Sequence, residues 1–216
     1  MKKIGIIGSG VVGQALAKGF IAHGYDVMIG TRDISKLTEF KKLTSEKIKI
    51  GNFQQTASFG KIIVLAVKGS AAKEALELAG KTNLTGKTIV DTTNPIADLA
   101  PENGVLRFFT DLNNSLMEQL QTAFPEANMV KAFNSVGNSF MVNPNFGNQK
   151  PTMFICGNND ASKTEVKEIL EQFGWECEDM GGAQAARAIE PLCMLWCIPG
   201  MRENKWNHAF KLLKSK

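Results

Sequence analysis

A glycine-rich turn near the N-terminus constrains the fold more than any other feature of this sequence. The apolar run Ile4–Ile7 leads directly into a G-x-G-x-x-G sequence at residues 8–13, and a helix is predicted over Val11–Ala22. A strand that enters such a turn and leaves it as a helix is typical of the first unit of a parallel α/β sheet.

Each glycine of this turn has a physical role in binding a dinucleotide. Gly8 lets the chain turn sharply out of the strand, Gly10 lets a pyrophosphate approach the backbone, and Gly13 lets the helix pack close to the sheet. The free N–H groups at the helix start, with the helix dipole behind them, attract anions. A tight turn without a ligand is the alternative, but a second strand about 20 residues further on favours the dinucleotide. The predicted phosphate-binding residues are Gly8, Ser9, Gly10, Val11, Val12 and Gly13.

Short β-rich runs alternate with helical stretches along most of the chain. The predicted strands are Ile4–Ile7, Asp26–Ile29, Ile48–Ile50, Ile62–Val67, Thr88–Asp91, Asn128–Phe133, Met153–Cys156 and Glu176–Asp179. The predicted helices are Val11–Ala22, Ile34–Leu43, Phe53–Phe59, Ala71–Ala79, Ser115–Phe124, Ala161–Phe173 and Ala183–Cys197. This alternation predicts an α/β fold, a Rossmann-like, doubly wound, mostly parallel sheet covered by helices on both faces.

The domain organisation follows from the same pattern. The segment Pro144–Pro151, rich in Asn and Gly, is the best candidate for a joint, but it is too short to tether two separate domains. We therefore predict a single domain over residues 1–216, with a core of about 1–150 and a small C-terminal α/β elaboration of about 151–216.

Composition and charge narrow the range of functions. Apolar residues make up 44% and charged residues 21% of the 216 residues, which is ordinary for a soluble globular protein. The formal net charge of +4 is mild, and no dense Lys/Arg block is interleaved with aromatics, so we expect no nucleic-acid partner. Glycines interrupt the N-terminal apolar stretch, and every apolar run is too short for a membrane span. We expect a cytoplasmic protein with no membrane partner.

The cysteines predict no metal site. Four cysteines form no CxxC pair and only two histidines are present, so closely spaced zinc ligands are lacking. Cys193 and Cys197 are four residues apart and share one face of a predicted helix. A redox pair is conceivable there, but buried thiols acting as small apolar residues are favoured. The Met-rich stretch Met194–Met201 is most simply a core or dimer face, and a homodimer is expected.

The residues after the second strand favour NADP over NAD. An acidic side chain there would accept hydrogen bonds from the ribose hydroxyls and repel a 2′-phosphate, whereas this sequence has Thr31 followed by Arg32. A hydroxyl and a guanidinium suit a phosphate, and Lys36 lies one helical turn further on. Two alternatives stay open. Asp33 is either the ribose ligand or a helix cap, and Arg32 could be an ordinary surface residue.

Small or polar residues follow the later strands, where the carboxyl ends of parallel strands meet at one edge of the sheet. In open sheets of this kind the ligand lies across that edge. Taken singly these residues are typical of loops, and Asn-Pro is a turn former. Together they predict the rest of a cofactor cleft from the stretches 66–68, 91–95 and 132–137, which include Ala66 and Val67 after the fourth strand.

At this point the sequence resembles a known family. It is similar to the NADPH-dependent deazaflavin-coenzyme (coenzyme F420) reductase family and its bacterial relatives, with the oxidoreductase domain of transmembrane ferric reductases as a cousin. The resemblance covers about nine-tenths of the chain. It rests on the stretches 8–13, 31–32, 91–95, 130–134, 179–182, 186–187 and 190–192.

The resemblance implies a function and leaves alternatives. It implies hydride transfer between the nicotinamide of NADP(H) and a stacked flavin-like or deazaflavin acceptor, with Asn94, Pro95, Ala132 and Asn134 lining the nicotinamide end. Such transfer depends on positioning, so no catalytic side chain is named. A non-catalytic NADP-binding sensor or scaffold is the alternative. A hydroxy-acid dehydrogenase ranks last, because it needs an acid–base Lys or His and a larger helical domain.

One charged pair near the C-terminus has two interpretations. Arg187 and Glu190 are three residues apart on a predicted helix. They form either a local ion pair, which is slightly favoured, or part of the acceptor pocket.

Overall fold

The computed structural model describes residues 2–37, 40 and 48–215, and the strands in these residues form an eight-stranded sheet. The strands are β1 Lys3–Ile7, β2 Asp26–Gly30, β3 Ile48–Gly51, β4 Ile62–Leu65, β5 Thr88–Asp91, β6 Asn128–Lys131, β7 Thr152–Gly157 and β8 Glu176–Asp179. Their order across the sheet is β3-β2-β1-β4-β5-β6-β7-β8.

Helices connect these strands and cover both faces of the sheet. They are α1 Val11–Ala22, α2 Phe53–Phe59, α3 Ala72–Ala79, α4 Lys81–Leu84, α5 Leu116–Ala123, α6 Asp160–Gln172, α7 Ala186–Ile189 and α8 Pro191–Glu203. Short 3₁₀ turns lie at Ile34–Leu37, Gly69–Ala71, Asn138–Phe140 and Ala183–Ala185. The α2 and α5 starts each carry a reciprocal capping box, which fixes where these helices begin.

The first six strands are parallel and have the order 3-2-1-4-5-6. This is the order of the doubly wound dinucleotide-binding fold, so the predicted α/β, Rossmann-like fold class is confirmed. The chain reverses direction across the sheet between β1 and β4. In open sheets of this kind the ligand lies in the crevice at that point, beyond the carboxyl ends of the strands.

Two apolar cores hold the helices against the sheet. Alternate residues of β1 point to opposite faces, so Ile6 packs under α1 and α6 while Ile7 packs under α2, α3 and α5. A third, smaller cluster of Leu106, Cys193, Trp196 and Cys197 lies between α8 and the segment before α5.

The last two strands extend the same sheet. β7 pairs with β6 in the antiparallel direction, and β8 pairs with β7 in parallel. The division into a core of about 1–150 and an elaboration of about 151–216 stays a prediction.

Two of the predicted helices differ from the observed ones by more than one residue at an end. Within the helix predicted over Ile34–Leu43, Ile34–Leu37 form a 3₁₀ turn and Phe40 is helical, and the other residues lie outside the described part of the chain. The helix predicted over Ala183–Cys197 is a 3₁₀ turn followed by α7 and α8. The break falls at Pro191, which cannot donate a helical hydrogen bond and instead occupies the first position of α8.

The described helices are short. The longest, α6 and α8, have 13 residues each. Among the described residues, no helix combines the length and apolar character that crossing a membrane requires. The cytoplasmic location and the homodimer stay predictions.

Candidate functional site

The glycine turn after β1 has the geometry that its sequence predicts. Gly8 has a φ of +121°, a conformation that L side chains rarely adopt. A Cβ at Gly8 would overlap the carbonyl oxygen of Ala66, and a Cβ at Gly13 would overlap the carbonyl oxygen of Gly8. A Cβ at Gly10, by contrast, would meet no atom within 4 Å. Gly8 and Gly13 therefore serve the fold, whereas the space beside Gly10 is open to a ligand.

The start of α1 is open to an anion. Gly10 occupies the N-cap position with no side-chain hydrogen bond, and the first turn of α1 holds no acidic residue. The first amides of a helix have no partner within the helix. Together with the helix dipole they attract a phosphate.

Thr31 links the glycine turn to the loop after β2. Its side chain is buried, and its Oγ1 accepts from Ser9 Oγ and from Asp33 N, each at 3.0 Å. The Thr31 hydroxyl in turn lies 3.0 Å from the Asp33 carbonyl oxygen, to which it donates. The Thr31 hydroxyl thereby uses its one proton and both of its lone pairs. Thr31 therefore fixes the distance between the glycine turn and the loop after β2.

Arg32 is exposed at the mouth of the site. Asp33 directs its Oδ1 to the backbone N and the hydroxyl of Ser35, at 3.0 and 2.6 Å, so it caps the following 3₁₀ turn. This contact matches the capping alternative for Asp33. The side chain of Lys36 lies outside the described part of the structure.

Two cavities meet above the carboxyl ends of the strands and share Gly10, Ala66, Val67 and Lys68 as walls. The first, the β2-side cavity, has a volume of about 240 Å³ and reaches Arg32. The second, the β5-side cavity, has about 380 Å³ and reaches Thr93 and Asn94. The predicted phosphate turn thus lies at the middle of one continuous cleft.

The β2-side cavity contains residues that sequence reasoning missed. They lie on α2, on α3 and on the segment between β4 and α3, and they are Phe53, Ala71, Glu74, Ala75 and Leu78. Ala71, Ala75 and Leu78 have spacings of four and three, so they form one face of a helical segment. That spacing was the available sequence signal, but nothing local shows that the face turns toward Arg32.

The other end of the cleft is built around a pair of asparagines. Asn94 Nδ2 donates to the Asn134 carbonyl oxygen at 2.8 Å, and Asn134 Nδ2 donates to Asn94 Oδ1 at 3.2 Å. The buried Oδ1 of Asn134 has no hydrogen-bond partner. An unpaired buried acceptor is costly, so this atom calls for a donor from a ligand or water.

The backbone before Asn134 is strained. Phe133 is fully buried and has a φ of +62°, which is rare for a bulky residue. Ala132, also buried, directly follows β6, and the left-handed bend at Phe133 turns the chain toward Asn94. Such strain is concentrated at functional sites.

A buried ion triad lies directly beneath this end of the cleft. Lys131 Nζ is 2.6 Å from Asp91 Oδ2 and 2.9 Å from Glu190 Oε1, and it donates to the Thr93 carbonyl oxygen at 2.9 Å. Asp91 and Lys131 are fully buried, and Glu190 nearly so. Burial alone would lower the pKa of Lys131, but the charges of Asp91 and Glu190 outweigh it and raise that pKa. Lys131 therefore stays charged.

Glu190 also closes the start of α5. Its two carboxylate oxygens accept from the backbone N–H groups of Leu116 and Met117, each at 3.0 Å. The helix dipole of α5 offsets the second negative charge of the triad. The triad therefore joins β5, β6, α5 and the α7–α8 junction.

Removing Lys131 alone is expected to destabilise the protein strongly. Lys131→Met leaves two buried carboxylates without their cation, and breaking a buried pair in this way costs about 3–5 kcal/mol. Urea unfolding measures the change. A loss below about 1 kcal/mol would show that the carboxylates find another partner.

Arg187 and Glu190 do not pair with each other, so the favoured local ion pair is wrong. Arg187 instead binds Glu118 of α5 through two nitrogens, with Nη2–Oε1 at 2.7 Å and Nε–Oε2 at 3.0 Å. Arg187 and Glu190 thus both bond to residues of α5 or of its first turn, because α5 packs against α7.

The Arg187–Glu118 pair predicts a pH dependence of stability. The hydrogen bond from Arg187, followed by those from Ser115, lowers the pKa of Glu118 from 4.5 to about 2. Because the pKa is lowered in the folded state, the stabilisation is complete above pH 4.5 and is lost as the pH falls toward 2. Unfolding free energies measured across this range should fall less steeply in Glu118→Gln. Parallel curves for the two proteins would contradict the assignment.

The cysteines lie among apolar residues. All four are free, and Cys193 and Cys197 are buried in the third cluster. A hydrogen bond to Cys197, with burial, raises the pKa of the Cys193 thiol. Within residues 2–37, 40 and 48–215, no group of three or more His, Cys, Asp and Glu side chains could hold a metal ion.

A Rossmann sheet with an open glycine turn and a cleft across its reversal point defines a dinucleotide-binding protein. The sequence matches a family model described as NADP oxidoreductase, coenzyme F420-dependent, over residues 3–95. A crystal structure from Arthrobacter sp. FB24, provisionally assigned as an F420-dependent NADP reductase, is 31% identical. The match covers 99% of this chain and 100% of that one, with a TM-score of 0.90.

The chain therefore belongs to the coenzyme F420-dependent NADP oxidoreductase family. This confirms the resemblance, the oxidoreductase class and the NADP cofactor predicted from the sequence.

Two further comparisons widen this relationship. Metalloreductase STEAP3 of Rattus norvegicus is 29% identical over 203 residues, which are 91% of this chain and 38% of that protein. The chain thus spans little more than a third of this curated relative. A hypothetical protein from Sinorhizobium meliloti is 22% identical with a TM-score of 0.76, covering 100% of this chain and 97% of that one. This last match shows the fold alone.

Proposed function

We propose that the chain transfers a hydride between NADP(H) and a flavin-like or deazaflavin acceptor. The observation that carries the proposal is the continuous cleft from Arg32, past the glycine turn, to the Asn94–Asn134 pair. The residues fit a dinucleotide on two counts, since the space beside Gly10 is open and Asn134 Oδ1 lacks a donor. The provisional assignment of the Arthrobacter protein as an F420-dependent NADP reductase supports a deazaflavin as the acceptor.

At the phosphate end, the amides of residues 9–13 bind the pyrophosphate and Arg32 binds the 2′-phosphate, whereas the Gly8 amide donates to the Gly30 carbonyl oxygen within the sheet. Arg32 is exposed and lines the β2-side cavity, and its guanidinium offers a planar pair of donors. Thr31 holds the Arg32 loop against the glycine turn through Ser9. Lys36 adds positive charge from the neighbouring turn.

At the other end, Ala66, Val67, Asn94, Pro95, Ala132 and Asn134 surround the nicotinamide. The nicotinamide, when bound, supplies the hydride, two electrons with one proton, that the acceptor ring takes up. The chain holds the two rings in contact and excludes water, which is the main demand of such a transfer. Asn134 Oδ1 accepts from the carboxamide and fixes the ring plane. Apolar side chains of the β5-side cavity, Val11, Val12 and Ile96, face the acceptor.

Calorimetry and turnover test the proposal together. We expect NADPH to bind and to be oxidised steadily with coenzyme F420 or a flavin, and the loss of NADPH absorbance measures this. Ferric chelates belong in the same panel, because STEAP3 is named a metalloreductase. Binding without turnover across the panel would favour a non-catalytic NADP-binding protein. Absence of binding heat with both NADPH and NADP⁺ would refute the site itself.

A further inference from the structure

In the sequence, the residues of the ion triad, Asp91, Lys131 and Glu190, are close neighbours of the residues that form the cleft. Asp91 precedes Thr93 and Asn94, and its Oδ1 accepts from the Thr93 N–H at 2.9 Å and from the Thr93 hydroxyl at 2.7 Å. Lys131 ends β6 just before the strained bend that leads to Asn134. Glu190 follows Ile189 directly. The three charges thus hold the three backbone segments that meet at the Asn94–Asn134 pair.

The neighbours of Asn134 settle which way its amide points. Its Nδ2 lies 3.2 Å from Asn94 Oδ1 and 2.9 Å from the Ile189 carbonyl oxygen, and both neighbours are acceptors. The rotated amide would place an oxygen against two oxygens, so the NH₂ group must occupy this position. Oδ1 is then left as a buried acceptor without a partner. The Ile189 carbonyl therefore decides what Asn134 offers a ligand.

We propose that the Asp91–Lys131–Glu190 triad is a positioning group that keeps Asn134 Oδ1 aimed as an acceptor at the nicotinamide carboxamide. The inference rests on the proposed function. Glu190 links the triad to Asn134. Lys131 and the start of α5 hold the Glu190 carboxylate in place, and a fixed Glu190 fixes the carbonyl of its neighbour Ile189, which accepts from Asn134. On the other side of the Asn134 amide, Asp91 holds Thr93 in place, and thereby the neighbouring Asn94.

Stability alone does not explain a buried triad. Replacing such charges together with apolar side chains of similar volume is often neutral or stabilising. Directional bonding is what an apolar core cannot supply. The Lys131 ammonium donates to the Thr93 carbonyl and forms ion pairs with Asp91 and Glu190, and Asp91 in turn accepts two hydrogen bonds from Thr93. The triad therefore fixes backbone positions more narrowly than packing would.

The affinity of the protein for NADP⁺ relative to a cofactor analogue tests the positioning role, because a purely structural role of the triad would not change this ratio. The 3-acetylpyridine analogue of NADP⁺ has a methyl group where the carboxamide has its NH₂, so it offers Asn134 Oδ1 no donor. We expect the unmodified protein to bind NADP⁺ about tenfold more tightly than this analogue, since a buried acceptor left unpaired is penalised. In Glu190→Gln an NH₂ group must face a backbone N–H of α5, and the preference should fall to about twofold or less. Calorimetry measures both dissociation constants.

Glu118→Gln is the matched control. Glu118 is also a carboxylate at the start of α5 and pairs with Arg187 of α7, so it joins the same two helices without contacting Ile189 or Asn134. We expect Glu118→Gln to keep the full preference for NADP⁺. Adenosine 2′,5′-bisphosphate, which lacks the nicotinamide, should bind all three proteins equally. A Glu190→Gln protein that keeps the tenfold preference would overturn the inference, and so would an equal loss in Glu118→Gln.

A second variant covers the case in which Glu190→Gln fails to fold. The triple variant Asp91→Leu, Lys131→Met and Glu190→Met removes every charge together, which a fold often tolerates. A folded triple variant without the preference supports the positioning role, whereas one that keeps the preference refutes it. A triple variant that also fails to fold counts against it too, because the charges would then be serving the fold. Failure of the proposed function has different signs: without the site, the unmodified protein would bind neither NADP⁺ nor its 3-acetylpyridine analogue, and without the activity it would bind NADPH but not oxidise it.

Discussion

Gly10→Val is expected to abolish dinucleotide binding while leaving the protein folded. The backbone at Gly10 is extended, with φ −74° and ψ −177°, so a valine adopts it without strain. A Cβ there meets nothing within 4 Å, so the valine projects into the space proposed for the pyrophosphate. Two charge-assisted hydrogen bonds from backbone amides are each worth about 1.5–3 kcal/mol. Their loss corresponds to at least about 100-fold weaker binding of both NADPH and NADH.

The matched variant is Gly13→Ala, which separates fold from ligand. Its Cβ would overlap the Gly8 carbonyl oxygen, which is backbone and cannot move aside easily. Overpacking of this kind costs about 1–3 kcal/mol, and we expect the upper end of that range. Gly10→Val should cost about 1 kcal/mol as a poorer N-cap. Calorimetric titration and urea unfolding of both proteins check this. Unchanged NADPH affinity in Gly10→Val would remove the glycine turn from the site.

Arg32→Ala is expected to weaken NADPH about 10–100-fold and NADH less than about threefold. Only NADPH carries the 2′-phosphate, and a guanidinium–phosphate pair is worth about 1.5–3 kcal/mol. Arg32 lines the β2-side cavity, and Thr31 holds the loop in place even when the guanidinium is gone. The loss should therefore be confined to the phosphate contact. Titration of both cofactors gives the ratio.

Arg202→Ala serves as the charge control for Arg32. It removes one exposed guanidinium from the end of α8, so the net charge changes equally while the cleft stays intact. We expect its affinities for NADPH and NADH to match those of the unmodified protein. If Arg32→Ala weakens the two cofactors by the same factor, the 2′-phosphate assignment fails. If Arg202→Ala behaves like Arg32→Ala, the effect is long-range charge.

The elements that the sequence predicted well are those coded by local patterns. The bounds of α1, α2, β5 and β8 match their predicted ranges, because a run of apolar residues between turn formers needs no tertiary information. The short strand β4 ends at Leu65, two residues before its predicted end, where Ala66 and Val67 become walls of both cavities. Apolar character alone could not separate a buried strand residue from a buried cavity wall.

The sequence by itself determined the glycine turn, the mostly parallel sheet and the family, whereas the order of the strands came from the structure. It did so because the spacing of glycines and the alternation of strands and helices are local properties of the chain. Tertiary structure alone decided the Asp91–Lys131–Glu190 triad, the Arg187–Glu118 pair and the unpaired oxygen of Asn134. The residues of the triad and of the Arg187–Glu118 pair are about 40 to 100 positions apart in the sequence, and each has several charged residues nearby that could be its partner. Which partner each one takes depends on how the sheet and helices pack, and no local pattern records that.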